Sequence, residues 1–353
     1  MFFTQSYAII LDMNNKELED FKKISQKRNF YTTTDAGRVF LLGLLLPLVI
    51  GLLFAYISMT CAKAAGITFA EDANYLTELF NNYLWFSIPF SLISQIVFFA
   101  TYFGYNKINR ISQKSCNLSF KKTNWKTALL CMGLGILSVL GFILLIEGAF
   151  GNLFRAIGLK SNALALPNNT VGWLFVNLLI LGVVPPICEE LLFRGIIFNG
   201  LKERFSNVVS IVFTALLFAL MHQNIQQFVY PFVLGIVLTT IMHKTNNLIY
   251  PILLHMFNNF TTLILDYLFS TGVIKFSFAG MAWWWYLIAI AAAAVVCTIF
   301  YLLYRFYLAK HERVEVEKEG ECHQIGGMNL GKFPIALVIG FAISIVMIVI
   351  NAI

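Results

Sequence analysis

A short polar stretch, CEELLFRG at positions 188–195, interrupts an apolar part of the chain and holds its densest group of chemically capable side chains. It carries two carboxylates, Glu189 and Glu190, and one guanidinium, Arg194. A carboxylate can take a proton from water as a general base. The stretch therefore contains one group suited to hydrolysis and a cation that can neutralise a second carboxylate.

Three more polar groups follow in other apolar runs. His222 ends the stretch FALMH, and His255 and Asn259 lie within HMFNN. Imidazole and carboxamide groups can hold a water or donate hydrogen bonds to a developing oxyanion. Because polar groups at membrane depth are costly, a functional interpretation is favoured for them.

Helical spacing divides these residues into pairs. Glu190 and Arg194 are four residues apart with the acid first, which is the favourable order for an ion pair on one helix face. Glu189 lies about 100° around the helix from Glu190, so Arg194 does not directly neutralise it. His255 and Asn259 are also four apart and share a face, whereas Asn258 lies off that face.

The composition predicts that the segments carrying these residues are membrane helices. The chain has 353 residues, of which 59% are hydrophobic and 12% charged, and its mean hydropathy is +0.75. An average soluble domain has about 25% charged residues. We therefore predict an all-α, polytopic transmembrane bundle of eight or nine spans with a catalytic cavity inside the membrane. The predicted spans are 38–61, 84–104, 127–147, 171–202, 207–222, 228–243, 248–270, 282–308 and 334–352.

The fourth predicted span is too long for one straight helix across a bilayer, and Pro185 and Pro186 predict a kink or a two-part helix. Counted from the inner helix ends, Glu189, His222, His255 and Asn259 lie at depths of roughly 20, 22, 12 and 18 Å. Three helices thus bring these four side chains to similar depth, and we expect them within about 10 Å of one another, around one water. The cavity is expected to open toward the cytoplasmic side.

Charge in the loops predicts the orientation. The net charge of +7 is concentrated in part in loop 105–126, which has six basic residues and no acid. Cytoplasmic loops collect Lys and Arg, so the N-terminus is expected inside and the C-terminus outside. Four regions are predicted: a surface segment 1–37, N-terminal helices 38–124, a core 125–270, and C-terminal helices 271–353 with a charged linker 309–333.

Three motifs in order carry a family resemblance. EELLFR fits EExxxR, FALMH fits FxxxH, and HMFNN fits HxxxN. Over roughly residues 125–270 the chain resembles the CPBP or Abi family, which contains the type II CAAX prenyl endopeptidases and bacteriocin-processing or immunity proteins. The resemblance implies an intramembrane endopeptidase in the plasma membrane of a bacterium, acting on a peptide or protein that is in some cases lipidated.

The resemblance also implies the roles of the site residues. Glu189 would activate water, His222 would help to hold it, and His255 with Asn259 would form the oxyanion hole. Glu190, Arg194 and Phe218 would support the site. Zinc held by Glu189, His222 and His255 is an alternative, but no HExxH is present and a carboxamide is a poor zinc ligand, so a metal-free site is favoured.

Other functions are left open by the residues. A non-catalytic immunity or scaffold protein of the same family would keep the same helices. A transporter would require repeated broken helices, and one is evident. No nucleic-acid-binding motif is found, and the six cysteines have no CxxC pairing and are interpreted as small buried hydrophobes rather than as a disulfide framework.

Overall fold

The described part of the chain is helical throughout. A computed structural model describes residues 28, 30–68, 75–112, 117–120, 123–145, 157–158, 166–225, 227–275, 283–303 and 334–352. These residues form ten helices and no strand, so the all-α prediction is confirmed. The helices are α1 (Thr33–Ala64), α2 (Tyr75–Asn82), α3 (Leu84–Ile108), α4 (Trp125–Leu145), α5 (Val171–Leu201), α6 (Asn207–Met221), α7 (Val229–Thr245), α8 (Ile249–Ser270), α9 (Trp283–Leu303) and α10 (Ile335–Ala352).

Each of the nine predicted spans coincides with one of these helices, while the short helix α2 was not predicted. Four helices, α1, α3, α5 and α8, are long and apolar enough to cross a membrane. The apolar segments of α4, α6, α7, α9 and α10 are shorter. The chain is therefore built as an integral membrane protein, and the number of spans stays a prediction. Of the predicted surface segment 1–37, residues 1–27 and 29 lie outside the described residues, as does the linker 309–333.

Helix α1 begins five residues before the predicted span because a capping box fixes its start. The Thr32 hydroxyl accepts from the backbone N–H of Asp35, and the Asp35 carboxylate accepts from the N–H of Thr32 at 2.7 Å. This exchange satisfies two helix-end donors at once. We call the end of the bundle at which α1 begins the N-terminal face.

Contacts between helix ends place other elements at the N-terminal face. The N–H of Thr33 donates to Glu203, just after α5, at 2.6 Å. Arg28 forms an isolated bridge with Ile111, just after α3. The N–H of Leu248, at the start of α8, donates to the carbonyl of Asn117. The ends of α3 and α5 and the start of α8 therefore lie on this face, as alternating spans require.

The second half of α5 forms the centre of the core. Leu192, Phe193, Ile196, Ile197 and Phe198 are completely buried. Exposed apolar side chains are instead frequent on α1, α3, α9 and α10. The second half of α5 is thus enclosed by protein, and the outer helices present a surface that suits lipid.

Close backbone approach holds α4 against α8. A Cβ added at Gly135 would collide with the Leu254 carbonyl oxygen and lie 2.9 Å from the backbone nitrogen of Asn258. At Gly133, two residues earlier, a Cβ would meet nothing within 4 Å. Small residues at such positions let membrane helices pack through their backbones.

Gly135→Ala should therefore destabilise the protein by about 1–3 kcal/mol, because the added methyl forces α4 away from α8. Thermal unfolding of the purified protein in detergent measures the effect. Gly133→Ala is the matched control and should leave the unfolding temperature unchanged. Equal melting temperatures for the two variants would contradict the close approach.

Candidate active site

The two neighbouring glutamates of α5 are in different surroundings. Glu190 and Arg194 have no exposed side-chain surface, and Arg194 Nη1 lies 2.7 Å from Glu190 Oε1. The ion pair predicted from their spacing is therefore confirmed. The Glu189 side chain keeps 13% of its surface exposed. Glu189 is thus the carboxylate that remains within reach of other molecules.

Arg194 also fixes α5 to α6 and α7. Its Nε donates to Thr239 Oγ1 at 3.2 Å, and its Nη2 donates to the Gly235 carbonyl at 3.1 Å, both on α7. Its guanidinium carbon lies 4.6 Å from the centre of the Phe218 ring on α6, within cation–π distance. The buried cation is thus satisfied by one charge, two neutral acceptors and one aromatic face.

Glu190 makes a second contact, which the sequence did not predict. His255 Nδ1 on α8 lies 2.9 Å from the Glu190 Oε1 atom that Arg194 also contacts. A neutral His255 that donates from Nδ1 has an unprotonated Nε2, whereas a protonated ring donates from both nitrogens. Glu190 therefore sets the orientation of this ring.

The other face of His255 turns toward Glu189. Its Nε2 lies 3.9 Å from Glu189 Oε2. This distance is too long for a direct hydrogen bond. It is short enough for one water or one substrate oxygen to contact both groups. The structure thus brings together two of the predicted site residues.

Gln95, on α3, is a site residue that sequence reasoning missed. Its Nε2 donates to Glu189 Oε1 at 3.0 Å, and its buried Oε1 has no partner. The sequence did contain a signal for Gln95. Placing a carboxamide in the apolar helix α3 costs free energy, as placing the histidines at membrane depth does, and this cost favours a functional interpretation. It was overlooked because Gln95 lies outside the three motifs.

His222 lies at the end of α6, beside the ring of Phe218. Its Nδ1 contacts the Phe218 carbonyl oxygen at 3.0 Å. The ring centre of Phe218 lies 5.1 Å from that of His222 and 5.8 Å from that of His255, with both pairs edge to face. Phe218, expected to support the site, thus contacts both imidazoles.

Asn259 is held by a backbone group that the two prolines release. Pro185 and Pro186 have no N–H, so the carbonyl of Leu181 loses its donor in both the α- and the π-helical register. Asn259 Nδ2 donates to this carbonyl at 3.0 Å. The predicted irregularity of α5 is present as π-helical turns at Leu178–Val183 and Leu191–Ile197, on either side of the proline segment. One donor of Asn259 is therefore engaged in structure, which differs from the purely oxyanion-binding arrangement expected.

Asn258 points away from His255 and joins α8 to two other helices. Its Nδ2 donates to Ser138 Oγ on α4 at 3.0 Å and to the hydroxyl of Tyr230 on α7. The side chain is buried. These contacts agree with its predicted position off the face that His255 and Asn259 share.

A cleft of about 640 Å³ reaches His222. Its wall includes Pro47 of α1, Ser94 of α3, Gln227 after α6, and Asn351 of α10. The lining thus combines the middle parts of α1 and α3 with the ends of α6 and α10. The opening of the cavity toward the cytoplasmic side stays a prediction.

The donor set for a metal ion is not assembled in the described residues. Among them, no three His, Cys, Asp or Glu side chains are grouped to hold a metal. Nδ1 of His255 is engaged by Glu190, which leaves Nε2 facing Glu189, and the carboxamide Asn259 donates to a carbonyl. A carboxylate on Nδ1 is also the usual partner of a histidine that binds a metal through Nε2, so the metal-free site stays a prediction.

The thiols of the four described cysteines are free. Cys131 and Cys188 are buried as predicted, whereas Cys61 and Cys297 are exposed, so the interpretation as buried hydrophobes was wrong for these two. Cys116 and Cys322 lie outside the described residues.

Comparison with known proteins supports the resemblance. Residues 171–261 match the family described as type II CAAX prenyl endopeptidase Rce1-like. This segment is Rce1-like. It holds α5, α6, α7 and the site-bearing part of α8, and hence every residue of the three motifs. The family is one of peptidases. The match is shorter than the predicted core 125–270, and Gln95 lies outside it.

Two curated relatives share part of the chain. The UPF0177 protein YxdF of Lactococcus lactis subsp. lactis (strain IL1403) is 34% identical over 77 residues, which are 22% of this chain and 42% of the relative. An uncharacterized 24.3 kDa protein of Escherichia coli is 28% identical over 124 residues, 31% of this chain and 57% of the relative. The chain thus spans about half the length of the curated relatives that it matches. No solved structure matches the chain.

Glu190→Gln should lower stability by about 3–5 kcal/mol, because it leaves the Arg194 cation buried without its counter-charge. The unfolding temperature of the purified protein measures this loss. Glu189→Gln is the matched control, since Glu189 is partly exposed and outside the ion pair. If both variants melted at the same temperature, the structural role assigned to Glu190 would be wrong.

Proposed function

We propose that this protein is an intramembrane endopeptidase in which Glu189 activates water to hydrolyse a peptide bond. The observation that carries the proposal is the pairing of a partly exposed carboxylate, Glu189, with the Nε2 atom of His255 at 3.9 Å. The Rce1-like match of the segment that holds both residues supports it.

The chemistry follows from these positions. A water between Glu189 and His255 gives its proton to the carboxylate as its oxygen attacks the substrate carbonyl carbon. The resulting oxyanion needs hydrogen-bond donors aimed at it. His255, when protonated on both nitrogens, and the second N–H of Asn259 are the proposed donors. Collapse of the intermediate breaks the C–N bond, and protonated Glu189 returns its proton to the leaving amine.

The remaining residues position Glu189 and His255. Gln95 holds one oxygen of Glu189 and leaves the other directed at the gap. Glu190 orients the His255 ring, and Arg194 balances the charge of Glu190. His222 borders the cleft and is proposed to help position the water.

The proposed substrate is a peptide or protein that reaches the site from the membrane. Two classes fit this description: lipidated proteins of the CAAX type, and leader or bacteriocin peptides. Neither curated relative has a name that specifies a substrate. The basic loop 105–126 adjoins the N-terminal face, and this face is therefore proposed to be cytoplasmic. In a bacterial cell, as for the two relatives, the membrane would be the plasma membrane.

Glu189→Gln should fold normally and abolish cleavage, because the carboxamide cannot take a proton from water. Purified wild type and variant are compared on a peptide library that includes prenylated and unmodified peptides, with products identified by mass spectrometry. Cleavage by the variant at the wild-type rate would remove the mechanism. A wild type that binds peptides without cleaving any would instead support the non-catalytic immunity or scaffold role.

Gln95→Leu should lower kcat about 10- to 100-fold with little change in KM, because a hydrogen bond to a charged group contributes about 1.5–3 kcal/mol. Steady-state kinetics of the purified variant on a cleaved peptide measures both constants. Ser91→Ala is the control, since Ser91 lies one turn before Gln95 on α3, donates to the Ser87 carbonyl and does not line the cleft. A change confined to KM would assign Gln95 to substrate binding rather than to positioning the base.

Chelation should leave activity largely unchanged, since the proposed mechanism uses a carboxylate, imidazoles and a carboxamide. Activity is measured before and after treatment with a strong zinc chelator, together with the metal content of the active protein. About one zinc per chain whose removal and return track activity would overturn the metal-free proposal.

A further inference from the structure

A polar pocket lies at the N-terminal face, between the start of α1 and the end of α3, away from the candidate active site. It has a volume of about 450 Å³ and is lined by Arg28, Arg38 and Arg110 together with Asp35. Three cations thus face one carboxylate. The hydroxyl of Thr34 and the carboxamide of Asn109 add neutral hydrogen-bonding groups to the wall.

The single carboxylate of the pocket is already satisfied. Asp35 Oδ2 accepts from Arg28 Nη2 at 2.6 Å and from the N–H of Thr32 at 2.7 Å. Asp35 Oδ1 accepts from the Tyr105 hydroxyl at 2.7 Å, a hydroxyl that Arg38 also approaches. Within the lining of the pocket, three guanidinium groups therefore lie beside one carboxylate whose two oxygens are already engaged.

The pocket is built by backbone pairing rather than by loose side chains. The N–H of Arg28 donates to the Arg110 carbonyl at 3.0 Å, and the N–H of Ser112 donates to the Arg28 carbonyl at 2.9 Å. Within the pocket, Arg28 Nε is buried and has no hydrogen-bond partner. A buried donor without a partner costs about 1–3 kcal/mol, and an acceptor entering the pocket removes this cost.

Arg110 occupies a backbone conformation that favours glycine or asparagine. Its φ is +52°, in the left-handed region. An arginine there costs about 1 kcal/mol or more relative to glycine. The chain thus places a long cation beside the other two arginines at the expense of local stability.

The surroundings of the pocket select a lipid over a soluble anion. Leu42, Leu46 and Val49 follow Arg38 at four-, eight- and eleven-residue intervals and so continue its helix face toward the middle of the bundle. All three are exposed, as is Phe30, 60% of whose surface is accessible. The arginines therefore lie where an apolar stripe that suits acyl chains meets the polar end of the bundle.

We propose that this pocket binds the phosphate group of an anionic phospholipid, with the acyl chains along the exposed face of α1. Arginine pairs with phosphate through two parallel hydrogen bonds, and clustered arginines at a membrane surface bind anionic headgroups. This site does not depend on the proposed peptidase activity.

The test measures lipid binding to the full-length protein in a neutral detergent by native mass spectrometry and thermal shift. The probes are phosphatidylglycerol, phosphatidylcholine and inorganic phosphate. We expect phosphatidylglycerol to bind at least about fivefold more tightly than phosphatidylcholine, and Arg38→Gln or Arg110→Asn each to weaken it about fivefold. Asparagine is chosen at 110 because it tolerates the left-handed conformation.

Lys107→Gln is the matched control, because Lys107 is an exposed cation at the end of α3 that does not line the pocket. It should leave phosphatidylglycerol binding unchanged. An equal loss with Lys107→Gln would show that the general charge of the face, and not the pocket, attracts the lipid. Equal binding of the two lipids, or equal stabilisation by inorganic phosphate, would also overturn the proposal.

Discussion

The buried Glu190–Arg194 ion pair is the interaction on which the interior of this bundle depends. Both side chains lie out of contact with solvent, and an isolated charge at that position would cost several kcal/mol. The pair is stable only because α6, α7 and α8 supply further partners to it. One pair on α5 thereby fixes the relative positions of four helices. The adjacent carboxylate, Glu189, can remain partly exposed because Glu190 performs this structural task.

The two prolines of α5 have a related effect. They remove backbone donors in the interior of a membrane protein, where water cannot replace them. The released Leu181 carbonyl is satisfied by Asn259, so a break in one helix becomes a contact with another. The π-helical turns on both sides allow α5 to pass the prolines while keeping Glu189, Glu190 and Arg194 on the interior.

Much of this arrangement could be predicted from the sequence, and the rest depended on tertiary contacts. Apolar runs located the helices, and four-residue spacing predicted the Glu190–Arg194 pair, because both depend on local geometry. The contact of Glu190 with His255 and that of Gln95 with Glu189 join residues 65 and 94 positions apart, which no local pattern specifies. The cleft beside His222 likewise combines α1, α3 and α10 with the end of α6, and such a combination depends on how the helices are placed around one another.

The two hydrogen bonds that hold α8 to α5 differ in kind. His255 meets the carboxylate of a buried ion pair, whereas Asn259 meets a backbone carbonyl. The two residues are one helical turn apart. One attachment of α8 therefore depends on charge, and the other depends only on the course of the α5 backbone. Loss of the charged contact would leave α8 still fastened to α5 beside the prolines.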